Sequence, residues 1–131
     1  ICATPAIQPI PPIDNDPFIS PTIINGFVFN SLGGNPIYNL EISGLGIRFS
    51  PPGLTIRLPQ SSSYAIVELG VFSTDVVVEG FDFVGMPLFS VTVPHTGTSN
   101  KMVTVSGPNL ATIQLTGGNN EGVVFSICAW N

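Results

Sequence analysis

From Thr22 to the end of this 131-residue chain, apolar and polar residues alternate in runs closed by turn residues. An alternation of period two puts successive side chains on opposite faces of an extended backbone, so each run predicts a strand. The runs are 22–29, 37–42, 45–49, 54–58, 64–72, 76–83, 88–93, 101–106, 110–116 and 123–130. Turn chemistry separates them: Leu32-Gly33-Gly34-Asn35-Pro36, Ser50-Pro51-Pro52-Gly53, Pro59-Gln60-Ser61-Ser62-Ser63, His95-Thr96-Gly97-Thr98, Gly107-Pro108-Asn109 and Gly117-Gly118-Asn119-Asn120. Glycine and asparagine supply positive φ there, and proline presets φ near about −65°. No window has helical periodicity. Short strands spaced roughly 8 to 12 residues apart predict an all-β fold, a two-sheet antiparallel β-sandwich of jelly-roll type.

The facing pattern is clearest in the second half. Phe89, Val91 and Val93 share one face of their strand and Ser90 and Thr92 the other. Val103 with Val105, Ile113 with Leu115, and Val123 with Phe125 and Ile127 repeat it, so these residues are expected to line the core. The last strand is also apolar on its opposite face, at Val124, Cys128 and Trp130. That second face is expected to be covered by the N-terminal arm.

The arm, residues 1–21, is set apart from the sandwich domain, 22–131, by its prolines: Pro5, Pro9, Pro11, Pro12, Pro17 and Pro21, with Ile7, Ile10, Ile13, Phe18 and Ile19 among them. Proline removes ladder donors and favours extended geometry, so this segment predicts neither helix nor central strand. It is expected to lie along a surface, with its apolar residues docked either on its own sandwich or on a second copy of the chain.

Charge narrows the function classes. Lys and Arg number 3 and Asp and Glu 8, only 8% of the residues, beside 44% hydrophobic ones; soluble domains usually carry about 25% charge. Mean hydropathy is +0.45. With a net charge of −5, Arg48, Arg57 and Lys101 cannot form the basic stripe that nucleic acid or an anionic membrane requires. No apolar run reaches the roughly 18 residues of a membrane helix, so membrane insertion is not expected. The sequence starts at Ile1 without an initiator Met, as expected of an exported, processed protein or an excised fragment. Export suits an extracellular or cell-surface location, where the 2 cysteines, Cys2 and Cys128, can form a disulfide closing nearly the whole chain. Whether that bond lies within or between chains stays open at this level.

The segment Val78-Glu79-Gly80-Phe81-Asp82-Phe83-Val84-Gly85, followed by Phe89-Ser90-Val91-Thr92-Val93 and then the run from Leu110 to Glu121, resembles galactose-binding-like jelly-roll modules of secreted bacterial proteins. In those modules a strand ending in an aromatic-Asp-x-x-Gly turn precedes paired strands and a late buried strand. The resemblance covers roughly residues 45–130. It implies the jelly-roll fold, with sugar binding or adhesion as the associated roles, and it transfers no ligand residue.

Catalytic chemistry is sparse. His95 is the single histidine, in a polar turn, and no Gly-x-Ser-x-Gly elbow occurs. Its chain neighbours supply neither a base nor an oriented acid, so an exposed turn histidine is expected. Glu79, Asp82 and Glu121 lie near strand ends, but a glycosidase pair needs an aromatic-rimmed cleft that a domain this small has little chain to build. No enzyme activity is expected, and no cofactor. Asp14, Asn15 and Asp16 could offer oxygens to calcium, although such a run beside Pro17 equally makes a turn. Tyr38, Tyr64 and Trp130, with Arg48 and Arg57 facing solvent, are the candidates for a sugar-binding surface.

Two readings follow. In the first the chain is a non-catalytic extracellular structural protein, a self-assembling subunit of a surface fibre or layer joined to copies of itself through Ile7, Ile10, Ile13, Phe18 and Ile19. In the alternative it is a secreted carbohydrate-binding or adhesion module. Where the arm docks discriminates them.

Overall fold

The computed structural model describes residues 1–4, 16–18, 21–34, 37–40 and 46–131. The strands are β1 (Cys2–Ala3), β2 (Asp16–Phe18), β3 (Thr22–Ile24), β4 (Phe27–Ser31), β5 (Ile37–Leu40), β6 (Gly46–Phe49), β7 (Leu54–Gly70), β8 (Val76–Asp82), β9 (Pro87–Val93), β10 (Asn100–Gly117) and β11 (Gly122–Trp130). Hydrogen bonding runs in the order β2-β5-β6-β11-β7-β10-β8-β9, with β1 on β11 and the β3–β4 hairpin on β7. Each pairing is antiparallel. This is the expected all-β sandwich, and no α-helix occurs among the described residues.

Two long strands build both layers. The first residues of β7 lie between β4 and the far end of β10, with Phe29, Ile56 and Ile113 in one row. Its last residues lie between β11 and the start of β10, where Ile127, Val67 and Val103 share a row. All six side chains are buried, and the two rows face each other as the walls of one core. Gly80 shows how closely the layers meet, because a Cβ there would lie 2.7 Å from a Val105 methyl and 2.9 Å from Leu110.

At the middle of β7 and β10 the structure corrects the sequence reading. The stretches 59–63 and 107–109, expected as turns, are parts of continuous strands. The register passes from Ser106↔Tyr64 to Leu110↔Ser62 and then to Thr112↔Arg57, so surplus residues loop out as bulges while the strands carry on. Asn109, at φ 61°, supplies the left-handed residue for the bend. Turn-forming residues here change the direction of a strand without ending it. The opposite correction applies at 22–29, which is two strands joined by Asn25-Gly26 at φ 48° and 85°, a pair suited to a two-residue hairpin.

Most expected core residues are buried; Phe89 is only partly so, and Val91 is exposed. Val91 faces the same way as buried Val78 but stays 37% exposed, because among the described residues β9 ends the strand order and no strand pairs beyond it.

The described parts of the arm join its own sheet. β1 pairs with β11 in the register Cys2↔Cys128 and Ala3↔Ile127, and the Ile1 carbonyl accepts from the Ala129 N–H at 2.8 Å. β2, with Pro17 in it, pairs with β5 at the end of the strand order, an edge position that a residue without an N–H tolerates. At β1 the arm thus extends β11's edge, and most of the stretch expected to cover the second face of β11 lies outside the described residues. Ile7, Ile10, Ile13 and Ile19 lie outside the described residues, and of Phe18 only the strand position is described.

Candidate functional site

Tyr64 of β7 and Trp130 of β11 are directly opposite in register. Side chains of cross-strand neighbours rise from the same face of a sheet, so two flat rings placed this way can lie against each other. Their centroids are 4.9 Å apart and their planes 15° from parallel. The core takes neither ring, since Ala65 and Ala129 are the inward-facing neighbours and both are buried. Tyr64 remains 36% exposed and Trp130 38%, which makes the pair an apolar platform at the sandwich surface. A bulge between Val124 and Ser126 sets this phase, because it lets Val124 join the core on the same side as Ile127 and Ala129, three and five residues on.

Polar side chains gather at the same end of the sandwich. Ser61, Ser62, Ser63, Asn109 and Asn131 line a shallow groove, and Ser63 and Asn131 are the chain neighbours of Tyr64 and Trp130. The bulges put them there, since Ser62 is opposite Leu110 and Tyr64 opposite Ser106. The Ser63 hydroxyl donates to the Trp130 carbonyl at 3.4 Å, and the buried Ser62 hydroxyl donates to the Gln60 carbonyl at 3.1 Å. Hydroxyl and carboxamide groups next to stacked rings form a neutral surface that can donate and accept hydrogen bonds.

The five sequence candidates are divided by the fold. Tyr64 and Trp130 come together. Arg48 of β6 is opposite Val123, seven residues along β11 from Trp130, or about 20 Å at the rise of a strand. Its Nη1 donates to the Asn120 carbonyl at 2.9 Å. Tyr38 pairs with Arg48 in register, and its strand position alone is described. Arg57 is exposed in the other layer, between Val28 and Thr112. The groove residues were missed because they read as turns, although the run Ser61-Ser62-Ser63 next to Tyr64 was visible in the sequence.

His95 needs a second correction. Asp75, twenty residues earlier, accepts from the His95 backbone N–H at 3.0 Å and meets the imidazole Nδ1 at 2.5 Å. An oriented acid is therefore present, supplied across the fold and not by chain neighbours. The imidazole contact, followed by the backbone N–H bond, holds the Asp75 carboxyl below the usual 3.8. Both side chains are nearly half exposed. Of the other acids considered, Asp82 is engaged in its own turn, its Oδ1 accepting from the Val84 and Met86 N–H groups.

Cys2 and Cys128 are joined within the chain across 126 positions. Asp14 and Asn15 lie outside the described residues, and among the described residues no cluster of three or more His, Cys, Asp or Glu could hold a metal ion. Among the described residues no helix is long and apolar enough to cross a membrane.

No protein-family profile matches the chain, and no curated protein does. A solved structure similar to it is a family 6 carbohydrate-binding module, one whose binding sub-sites were dissected by crystallography and calorimetry. The TM-score is 0.48 at 13% identity, over 100% of this chain and 93% of that one.

Proposed function

We propose that the chain is a non-catalytic, secreted carbohydrate-binding module whose ligand rests on Tyr64 and Trp130. The observation that carries this reading is the exposed stacked pair beside a groove of serine and asparagine side chains. A pyranose has apolar C–H faces and a rim of hydroxyls. Its C–H face suits an aromatic ring, and its hydroxyls suit Ser61, Ser63, Asn109 and Asn131. Among the described residues that line the groove none is charged, which favours a neutral sugar over a uronic acid or sulfated one. A disulfide within the chain suits a secreted protein.

Self-assembly through the arm, the other sequence reading, gains no observation here. The arm's two described pieces both pair within their own chain, as strands β1 and β2. Retardation of the protein in gels containing neutral polysaccharides tests the carbohydrate reading. Retention by at least one polysaccharide is expected, with Trp130→Ala weakening it about tenfold or more, the loss typical of a central aromatic anchor. Unchanged retention of the variant would remove Trp130 from the site.

A further inference from the structure

The hairpin between β8 and β9 ends in an apolar tip. Phe83, Val84 and Met86 are 73%, 68% and 59% exposed. The loop beneath them is closed on itself: Asp82 Oδ1 accepts from the N–H groups of Val84 and Met86, the Asp82 carbonyl from Gly85, and the Met86 carbonyl from the Asp82 N–H. Gly85 provides the required positive φ of 86°. Fixed and convex, with most of its N–H groups already bonded, such a tip can leave water without stranding donors.

A concave counterpart lies on the same molecule. Between β9 and the first residues of β10 runs an open groove of about 450 Å³, walled by Phe89, Val91, Val93, Met102, Lys101 and Thr104. Both of its banks are sheet edges: among the described residues β9 pairs with β8 alone, and the 100–106 stretch of β10 pairs with β7 alone. Its size suits a few large side chains. The tip cannot turn back into this groove, because it caps the same rigid hairpin whose second strand forms one bank. The signs of charge agree with an intermolecular fit, since Asp82 at the base of the tip is acidic and the groove carries Lys101, whose Nζ also donates to the Thr96 carbonyl at 2.6 Å.

We propose that the tip of one copy, residues 83–86, seats in the β9–β10 groove of a second copy. The contact joins two different surfaces, so it is heterologous and leaves a free tip at one end and a free groove at the other. It is independent of the carbohydrate reading.

Sedimentation equilibrium over a concentration series tests it, with circular dichroism confirming that each chain is folded. Wild type is expected to gain mass with concentration. A tip variant, Phe83→Ser with Met86→Ser, and a groove variant, Val91→Arg, each associate about tenfold more weakly or not at all. Mixed in equal amounts, they form dimers and nothing larger, because only one intact tip and one intact groove can meet. Ile23→Ser, at a 65% exposed site away from both surfaces, leaves association unchanged. The proposal is overturned by a wild type that stays monomeric, by tip or groove variants that assemble like it, or by a mixture that fails to dimerise while wild type assembles. Loss of association in Ile23→Ser equal to that in the tip variant would also overturn it. So would a monomeric wild type that binds phosphatidylcholine vesicles through Phe83, which would assign the tip to lipid.

Discussion

Single residues in this fold are constrained mostly by contacts distant in sequence. Gly53 has φ 135°, and a Cβ there would lie 2.2 Å from the Leu115 carbonyl oxygen, on the neighbouring long strand. Gly53→Ala is therefore expected to cost about 2 to 4 kcal/mol, read as a lower urea midpoint with an unchanged slope. Asp75 and His95 give a pH signature. A carboxyl whose folded pKa lies below its ordinary value contributes stability that is complete above that ordinary value and lost as pH falls through the lowered one. The stability margin of wild type over Asp75→Asn should thus shrink as pH falls below the usual 3.8. Urea midpoints at several pH values check this, and a margin that disappears already near neutrality would contradict it. Neither constraint was legible in the sequence. Gly53 read only as turn chemistry, and nothing local indicates that residue 75 will meet residue 95.

Strands were legible as a class and less so in their extent. Alternation identified nearly every β-segment, because a half-buried strand cannot hide its period of two. Continuity was not legible at 59–63 and 107–109, where prolines, serines, glycine and asparagine suit a bulge as well as a turn and only the partner strand decides. The terminal disulfide belongs to this scale, since it fastens the short β1 to β11. In the chain-entropy view a link closing so long a loop stabilises by up to about 5 kcal/mol. Cys128→Ser should lower the stability by roughly 2 to 5 kcal/mol, and reduced wild type should match it in chemical denaturation. A reduced protein as stable as the oxidised one would show that pairing of β1 alone holds that edge.

For the whole molecule, the bends in β7 and β10 that close the sandwich also bring Tyr64 and Trp130 to one end beside the serine and asparagine groove. Both aromatics could be nominated from the sequence. Their pairing could not, because it depends on the β7–β11 register and on a bulge in β11, and the same register separates them from Arg48. The platform supports a spectroscopic test, since Trp130 is the chain's only tryptophan and its fluorescence reports on the proposed site alone. The decisive measurement is a titration of that fluorescence with soluble oligosaccharides prepared from whichever neutral polysaccharide retards the protein. The account predicts a saturable change in Trp130 emission at the concentrations that displace the protein from the polysaccharide, and an affinity about tenfold or more weaker in Tyr64→Ala. Displacement with no change in Trp130 emission would place the sugar elsewhere on the molecule and contradict the account.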